Sequence, residues 1–520
     1  MAFCASAPSF CCRLIGAHRR TAPPKPSPRR CLLLPIRCAA QTPPPRRSAN
    51  YQPSSWSDEY IQSLRNDTKV EEDIARRMGK PTEDVKQLIY MKKGIEDQLQ
   101  LIDHLQQLGV AYHFKEDIKD ALGTIYGSME QVNMLLKDNL HATALMFRLL
   151  REHGFAVSEG VFNRFMDEKG NLNASLRHQT EGLVSLYEAS YLAKEGEHLL
   201  EEATNFTTKQ LKSLMEGSLE PHLRKHVAHA LELPLNWRMP RFQTRSMPKE
   251  AKMNPVLLEL AKLDFNRVQL IYQRNSEKCR AKFSTNFWLL IRWWSNLGLA
   301  LRLPFSRDRL VESYFWTVGW AFEPQFARFR EAQTKANCLI TTIDDVYDVY
   351  GTMDELELFT DAVDRWDVNA MDRFPEYMKI CFLALFNTTN DTAYNVMKEK
   401  VPLSKQCNPW IQLADLCKAY MMEARWYHQG YTPNLEEYLE NALVSISGPL
   451  MLTLAYCTSD DVTREALDGF QSCPEIARWS SMIVRLCDDL GTSKDELRRG
   501  DVPKSIECHM HERCFRGRGS

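Results

Sequence analysis

Cys338 to Leu356 reads CLITTIDDVYDVYGTMDEL, an apolar run interrupted by Asp344, Asp345 and Asp348. On a helix, residues four apart stand one above the other with Cβ atoms about 5 to 6 Å apart, so Asp344 and Asp348 share a face and Asp345 sits beside it. Three carboxylates on a largely apolar helix repel one another and suffer desolvation unless a cation intervenes. Oxygen ligands at that separation suit a hard ion such as Mg²⁺, which takes one or two carboxylates together with substrate phosphates and keeps some of its water. An exposed acidic helix end would give the same letters, so this stretch alone does not decide.

A second acidic stretch tips the balance. RLCDDLGTSKDELRRGDVPK, residues 485–504, sets Asp488, Thr492 and Glu496 at successive four-residue steps, a stripe of oxygen ligands along one helix. The preceding WSSMIVRLC is again apolar or small. Two such helices facing each other could hold several Mg²⁺ ions around a diphosphate, because metal sites in helical bundles are built from inward side chains on facing helices. A departing diphosphate also needs positive charge nearby. LPFSRDRLVES supplies Arg307 and Arg309, Arg485 stands one turn before Asp488, and Lys504 follows the second stripe. An RDR seen alone is a solvated face; beside two metal stripes it is a candidate diphosphate clamp.

The elements that must position these residues are helices. From Asp58 onward apolar residues recur at three- and four-residue steps, as in EDVKQLIYMKKGIEDQLQLIDHLQQLGV and LVSLYEASYLAKEGEHLLEEA, while strand-like alternation is scarce. The Pro-rich segment 231–249 is the expected junction, which predicts an all-α chain of two helical domains, 46–249 and 250–520. SISGP at Ser445 to Pro449 joins Gly to Pro inside a helical region and is expected to kink it.

The first 57 residues contain no Asp or Glu, and their Arg and Lys are scattered among Ser, Ala and Pro. That composition cannot bury enough surface to fold and matches an organelle transit peptide, assigned to residues 1–45. Five of the fifteen cysteines fall there, and the rest form neither CxxC pairs nor a zinc spacing, so reduced thiols are expected. Lys and Arg total 66 against 67 acids, so no global field points to nucleic acid or to a membrane surface. Arg or Asp interrupts the longest apolar stretches well before the roughly 18 residues of a membrane span. A monomer is the default expectation.

Taken together, DDVYD, DDLGTSKDE, the upstream RDR and RRSANYQPSSW (Arg46 to Trp56) resemble the plant terpene synthases. The last motif, two Arg followed by eight residues and Trp, is similar to a marker of angiosperm monoterpene synthases. The resemblance runs from Arg46 to about His511. It implies an N-terminal α-barrel-like domain and a C-terminal class I α-bundle. The implied activity is that of a carbon–oxygen lyase in the plastid stroma, ionising geranyl diphosphate with three Mg²⁺ ions, or Mn²⁺ in their stead, to give a cyclic monoterpene. On this resemblance Asp344 and Asp348, with Asp345 beside them, hold metal and substrate from one side, and Asp488, Thr492 and Glu496 from the other. Arg307, Arg309, Arg485 and Lys504 hold the diphosphate. Arg46 and Arg47 close over it and assist isomerisation. Aromatic faces stabilise cations, and Trp316 in SYFWTVGWAF is the first candidate, although aromatics at helical spacing are more often core. Carbonyls freed at the SISGP kink would point at the same cation.

The implied alternatives are a sesquiterpene synthase acting on farnesyl diphosphate and an impaired, truncated paralogue. Three stretches depart from the family pattern: SMPKEAK, RNSEKCRAKFSTNFWLLI and VPLSKQCNPWIQL. The family pattern also leads one to expect capping helices beyond CHMHE. CFRGRGS, read in a shifted frame, yields an acidic VSEEE-like helix start, so a frameshifted, C-terminally truncated chain with an opened cavity is expected.

Overall fold

The computed structural model describes residues 46–64, 68–91, 94–240, 253–273, 287–399, 409–459, 463, 469 and 474–516. Among these residues the chain is helical, with no β-strand beyond the isolated bridge between Met166 and Leu172. The leader 1–45 and SMPKEAK lie outside the described residues, as do 274–286 and 401–408, which hold most of the other two departing stretches.

The first unit contains α1 (Thr68–Tyr90), α2 (Ile95–Gln107), α3 (Lys115–Gly127), α4 (Leu140–Glu152), α5 (Thr180–Ser190), α6 (His198–Glu216) and α7 (Pro221–Glu232). Local chemistry sets their ends. Asn139 caps α4 by accepting the Ala142 N–H at 2.9 Å, and Pro221 opens α7, where a missing N–H leaves no bond unmade. Helix α4 is buried from Leu140 through Leu150 apart from His141, the pattern of a helix surrounded by others. The charges it buries are paired, Arg148 with Asp103 and Glu152. Glu188 on α5 is buried too; it accepts the Leu235 N–H at 2.5 Å and lies 3.4 Å from Arg238. Burial pushes its carboxyl up to about 7, against the pull of Arg238.

The next helix, α8 (Pro255–Gln273), corrects the expected boundary at 249/250. It lies beyond the Pro-rich junction, yet Met253, Leu257, Leu260 and Leu263 belong to the same apolar core as Ile102, Phe147 and Leu149. Asp264, fully buried, pairs with the Tyr112 hydroxyl and with His113 Nε2, and Arg267 Nε donates to Glu71 at 2.9 Å. The amphipathic face of α8 thus completes the first unit, and the packing boundary falls after α8.

The second unit contains α9 (Phe287–Leu297), α10 (Leu310–Trp320), α11 (Ala327–Asp345), α12 (Met353–Arg365), α13 (Glu376–Glu399), α14 (Pro409–Gln429), α15 (Leu435–Ser445), α16 (Gly448–Cys457), α17 (Glu475–Arg499) and α18 (Ser505–Arg516). Its core is rich in aromatics, including Tyr347, Phe359, Phe374 and Phe382. The expected kink is a full break: α15 ends at Ser445 and α16 opens at Gly448, with Ser447 at φ 63°. Gly448 is required by proximity. A Cβ there would lie 2.0 Å from Ser481 Oγ and 2.7 Å from Ser481 Cβ, so α16 and α17 can touch only because that side chain is absent. No helix among the described residues is long and apolar enough to cross a membrane.

Candidate active site

Helix α11 carries the first acidic motif to its C-terminal end, and a π-helical turn over Val346–Tyr350 continues it. The wider turn rotates Asp348 away from the position that an unbroken α-helix would give it. Asp344 and Asp348 are half-buried, whereas Asp345 is fully buried. Both Asp345 oxygens are engaged: Oδ2 accepts from Ser306 Oγ at 3.0 Å and from the Arg307 N–H at 2.7 Å, and Oδ1 accepts from Arg307 Nε at 2.8 Å. Asp345, expected from the sequence to stand beside the metal ligands, is drawn here to Arg307. Its oxygens are saturated by Arg307 and its neighbour, and it serves to hold that guanidinium. Arg307 Nη2 in turn donates to Asp344 Oδ2 at 2.5 Å. Burial works against the guanidinium charge, but Asp344 and Asp345 outweigh it and hold Arg307 above its ordinary value.

The same unit recurs on α17. Arg485 Nη2 lies 2.6 Å from Asp488 Oδ2 and 2.5 Å from Asp489 Oδ1. Asp489 is fully buried and accepts from the Tyr438 hydroxyl at 2.9 Å and from the Ser505 N–H at 3.1 Å. In each motif the first Asp keeps some solvent exposure, while the second is sealed in the core and anchors an Arg. One turn on, the Thr492 hydroxyl donates to the Asp488 carbonyl at 2.9 Å, which leaves its oxygen lone pairs available. Glu496 Oε2 is buried without a hydrogen-bond partner.

Burial pushes the carboxyls of Asp348, Asp488 and Glu496 above the ordinary range. Asp344 pushes Asp348 and Asp488 the same way, and Lys504 opposes the shift at all three. Asp344 on α11 and Asp488 on α17 thus feel each other's charge. These carboxylates work against one another's charge even with Arg307, Arg485 and Lys504 beside them, the condition that a bound divalent cation relieves. The orphaned Glu496 oxygen fits the same ligand. Among the described residues no three His, Cys, Asp or Glu side chains gather round a single point. Each wall offers an ion only one or two carboxylates, which is how Mg²⁺ is held when phosphate oxygens complete its shell.

Positive groups surround the acids. Lys504, 7% exposed, lies 3.8 Å from Glu423 Oε2. Arg309 turns elsewhere: its guanidinium donates to the carbonyls of Asp308 and Gln52 at 2.9 and 3.1 Å, tying down the N-terminal segment instead of joining the clamp. That segment lies across the end of the bundle that carries Asp348 and Tyr350. Arg46 forms a fork with Glu355, donates to the Tyr350 carbonyl at 3.0 Å and stacks over the Tyr350 and Tyr377 rings. Arg47 donates to the Asp348 carbonyl at 2.9 Å, pairs with Asp501 at 3.3 Å and covers the Tyr427 ring. Arg46, Arg47, Asp348, Tyr427, His428 and Lys504 line a cavity of about 340 Å³. Trp316 on α10 is 43% exposed.

Sequence reasoning missed Glu355, Glu423, Asp489 and Asp501. Asp489 carried a signal, as the second acid of a doublet like Asp344–Asp345. Glu423 carried a fainter one, a lone carboxylate in the apolar spacing of AYMMEARW.

Two sequence profiles match the chain: one described as "Terpene synthase, N-terminal domain" over residues 55–231, the other as "Terpene synthase family, metal binding domain" over residues 295–517. Monoterpene synthase 8, chloroplastic, of Hedychium coronarium is 53% identical over 521 residues, covering 96% of this chain and 85% of that protein. Alpha-thujene synthase TPS3, chloroplastic, of Litsea cubeba is 50% identical, covering 94% and 84%. Among solved structures, limonene synthase with 2-fluorolinalyl diphosphate superposes with a TM-score of 0.82 at 44% identity, over 90% of this chain and 85% of that one. Isoprene synthase from Populus x canescens, in complex with three Mg²⁺ ions and dimethylallyl-S-thiolodiphosphate, gives 0.77 at 42% identity, over 88% and 84%.

Proposed function

The chain belongs to the terpene synthase family, and on that premise we propose that it is a plastid monoterpene synthase, a lyase that ionises geranyl diphosphate and releases diphosphate. The observation that carries this reading is the doubled Asp–Asp–Arg unit. Asp344 and Asp488 lie within each other's field, each bonded to an Arg that a buried neighbouring Asp holds in place.

Asp344 and Asp348 on one wall, and Asp488, Thr492 and Glu496 on the other, would hold Mg²⁺, three ions in the reading favoured by the isoprene synthase complex. Bound there, Mg²⁺ supplies Lewis-acid stabilisation of the leaving diphosphate. Arg307, Arg485 and Lys504 donate to its outer oxygens. Asp345 and Asp489 fix the two guanidinium groups beforehand, so little reorganisation is needed when charge develops on the leaving group. Arg46 and Arg47 fasten residues 46–52 over the metal end and keep water from the reacting carbon. Trp316 offers a π face to the allylic cation.

Incubation of the purified chain with geranyl diphosphate and Mg²⁺, followed by mass spectrometry of the volatiles, tests the reading. A C10 hydrocarbon or alcohol supports it. Product from farnesyl diphosphate alone makes the chain a sesquiterpene synthase, and no product from either substrate overturns the enzymatic reading.

A further inference from the structure

Glu423 has no part in the mechanism above, yet this carboxylate side chain is only 3% exposed and stands beside Lys504. Its Oε1 accepts from Asn441 Nδ2 at 3.2 Å, and the same Nδ2 donates to the Ala419 carbonyl at 3.1 Å. Asn441 on α15 therefore bridges two groups one turn apart on α14, the Ala419 carbonyl and the Glu423 carboxylate, and fixes that carboxylate in place. The other oxygen faces Lys504 Nζ at 3.8 Å. That separation is longer than a hydrogen bond, so charge alone holds the pair and no N–H of the ammonium is committed to Glu423.

The backbone at Lys504 cannot follow its side chain. Its N–H donates to Glu507 Oε2 at 3.1 Å, and the next N–H donates to Asp489 Oδ2 at 3.1 Å. Only the lysine arm can move. Burial works against its charge; Glu423, Asp348 and Glu496 favour it, and Arg485 repels it. Two of the three attracting carboxylates, Asp348 and Glu496, are those assigned to metal above. Without Glu423, the ammonium would settle on one of them and compete with the cation.

Resting on the proposed diphosphate chemistry, we propose that Glu423 is a positioning residue that reserves Lys504 for the diphosphate by holding its ammonium off Asp348 and Glu496. A loose pair suits this task, because the lysine can leave it for phosphate oxygens without breaking a hydrogen bond.

Calorimetric titration of the full chain with inorganic pyrophosphate, repeated across Mg²⁺ concentrations, tests the inference without turnover. E423Q keeps the acceptor for Asn441 but removes the charge, and is expected to raise the half-saturating Mg²⁺ concentration about tenfold, the scale of groups that orient metal ligands. E423D is expected to restore the wild-type requirement. In a K504M background, E423Q is expected to change nothing further, because the competing ammonium is gone. An unchanged Mg²⁺ requirement in E423Q, or an equal rise with and without Lys504, overturns the inference while leaving the diphosphate reading intact. Wild-type protein that binds no pyrophosphate at any Mg²⁺ concentration overturns both. Should E423Q fail to fold, N441L, which frees the carboxylate from its staple, carries the same expected dependence on Lys504.

Discussion

Arg46 and Glu355, more than three hundred residues apart in sequence, meet in a two-pronged ion pair, Nη1 to Oε2 and Nη2 to Oε1, both 2.7 Å. Glu355 also closes the capping box of α12 with Thr352 and accepts from the Tyr377 hydroxyl at 2.8 Å. Burial pushes its carboxyl up, but Arg46, the Thr352 N–H and Tyr377 outweigh that and hold it at about 2. One carboxylate thus fastens a chain segment and begins a helix.

The pH dependence of this clasp follows. The folded value lies below the usual carboxylate value, so the stabilisation is present above about pH 4.5 and is lost as pH falls toward 2. Limited proteolysis is expected to spare the bond region 46–52 at pH 7 and to open it near pH 3. R46K, which cannot form the fork, is expected to be cut faster at pH 7, consistent with a charge-assisted pair worth about 1–3 kcal/mol.

Asp345 and Asp344 are adjacent but are expected to fail differently. D344N removes a partly exposed carboxylate proposed to hold metal and should raise the Mg²⁺ requirement of pyrophosphate binding. D345N should leave that requirement nearly unchanged while weakening pyrophosphate binding at saturating Mg²⁺ by about 10- to 100-fold, because Arg307 loses its anchor. Calorimetry at several Mg²⁺ concentrations separates the two, and identical profiles would refute the division of roles.

Gly448 is a packing requirement. G448A is expected to drive α16 from α17 and cost about 1–3 kcal/mol in thermal unfolding. S481G should recover most of that loss, since it removes the atoms that the new methyl meets, and an additive double mutant would show that the contact is not the cause.

Glu188 gives the opposite pH signature to Glu355. Its folded value is raised to about 7, so the stability it contributes is full below about pH 4.5 and is lost as pH rises through 7. E188Q is expected to flatten the fall in melting temperature between about pH 4.5 and 7, where the folded carboxyl keeps a proton that the unfolded one has lost, a term of about 3 kcal/mol in the wild type.

The acid-bearing helices were legible in the sequence because four-residue spacing sets side chains on one helix face, as it does for Asp488, Thr492 and Glu496 on α17. The π-helical turn that takes Asp348 off that register was not legible. Nor was the pairing of Asp345 with Arg307. Which acid of a doublet faces the core depends on where Ser306 and Arg307 arrive, and a loop beyond a different helix decides that. The contact of Arg309 with the Gln52 carbonyl was not legible for the same reason, since Gln52 comes from the far end of the chain. The Pro-rich stretch marked a real break in helix, but helix breaks and core boundaries are separate quantities, and α8 follows its apolar face to the earlier core.

The attachment of α8 to the first core bears on how this polypeptide can be divided and recombined. A catalytic fragment begun at residue 250 would bring along a greasy helix stripped of its cover, and would be prone to aggregate. A chimera joined there would have to match α8 to a foreign α1. Crossovers placed after Gln273 keep that pair together, and the natural unit of exchange between relatives is therefore the block that ends with α8.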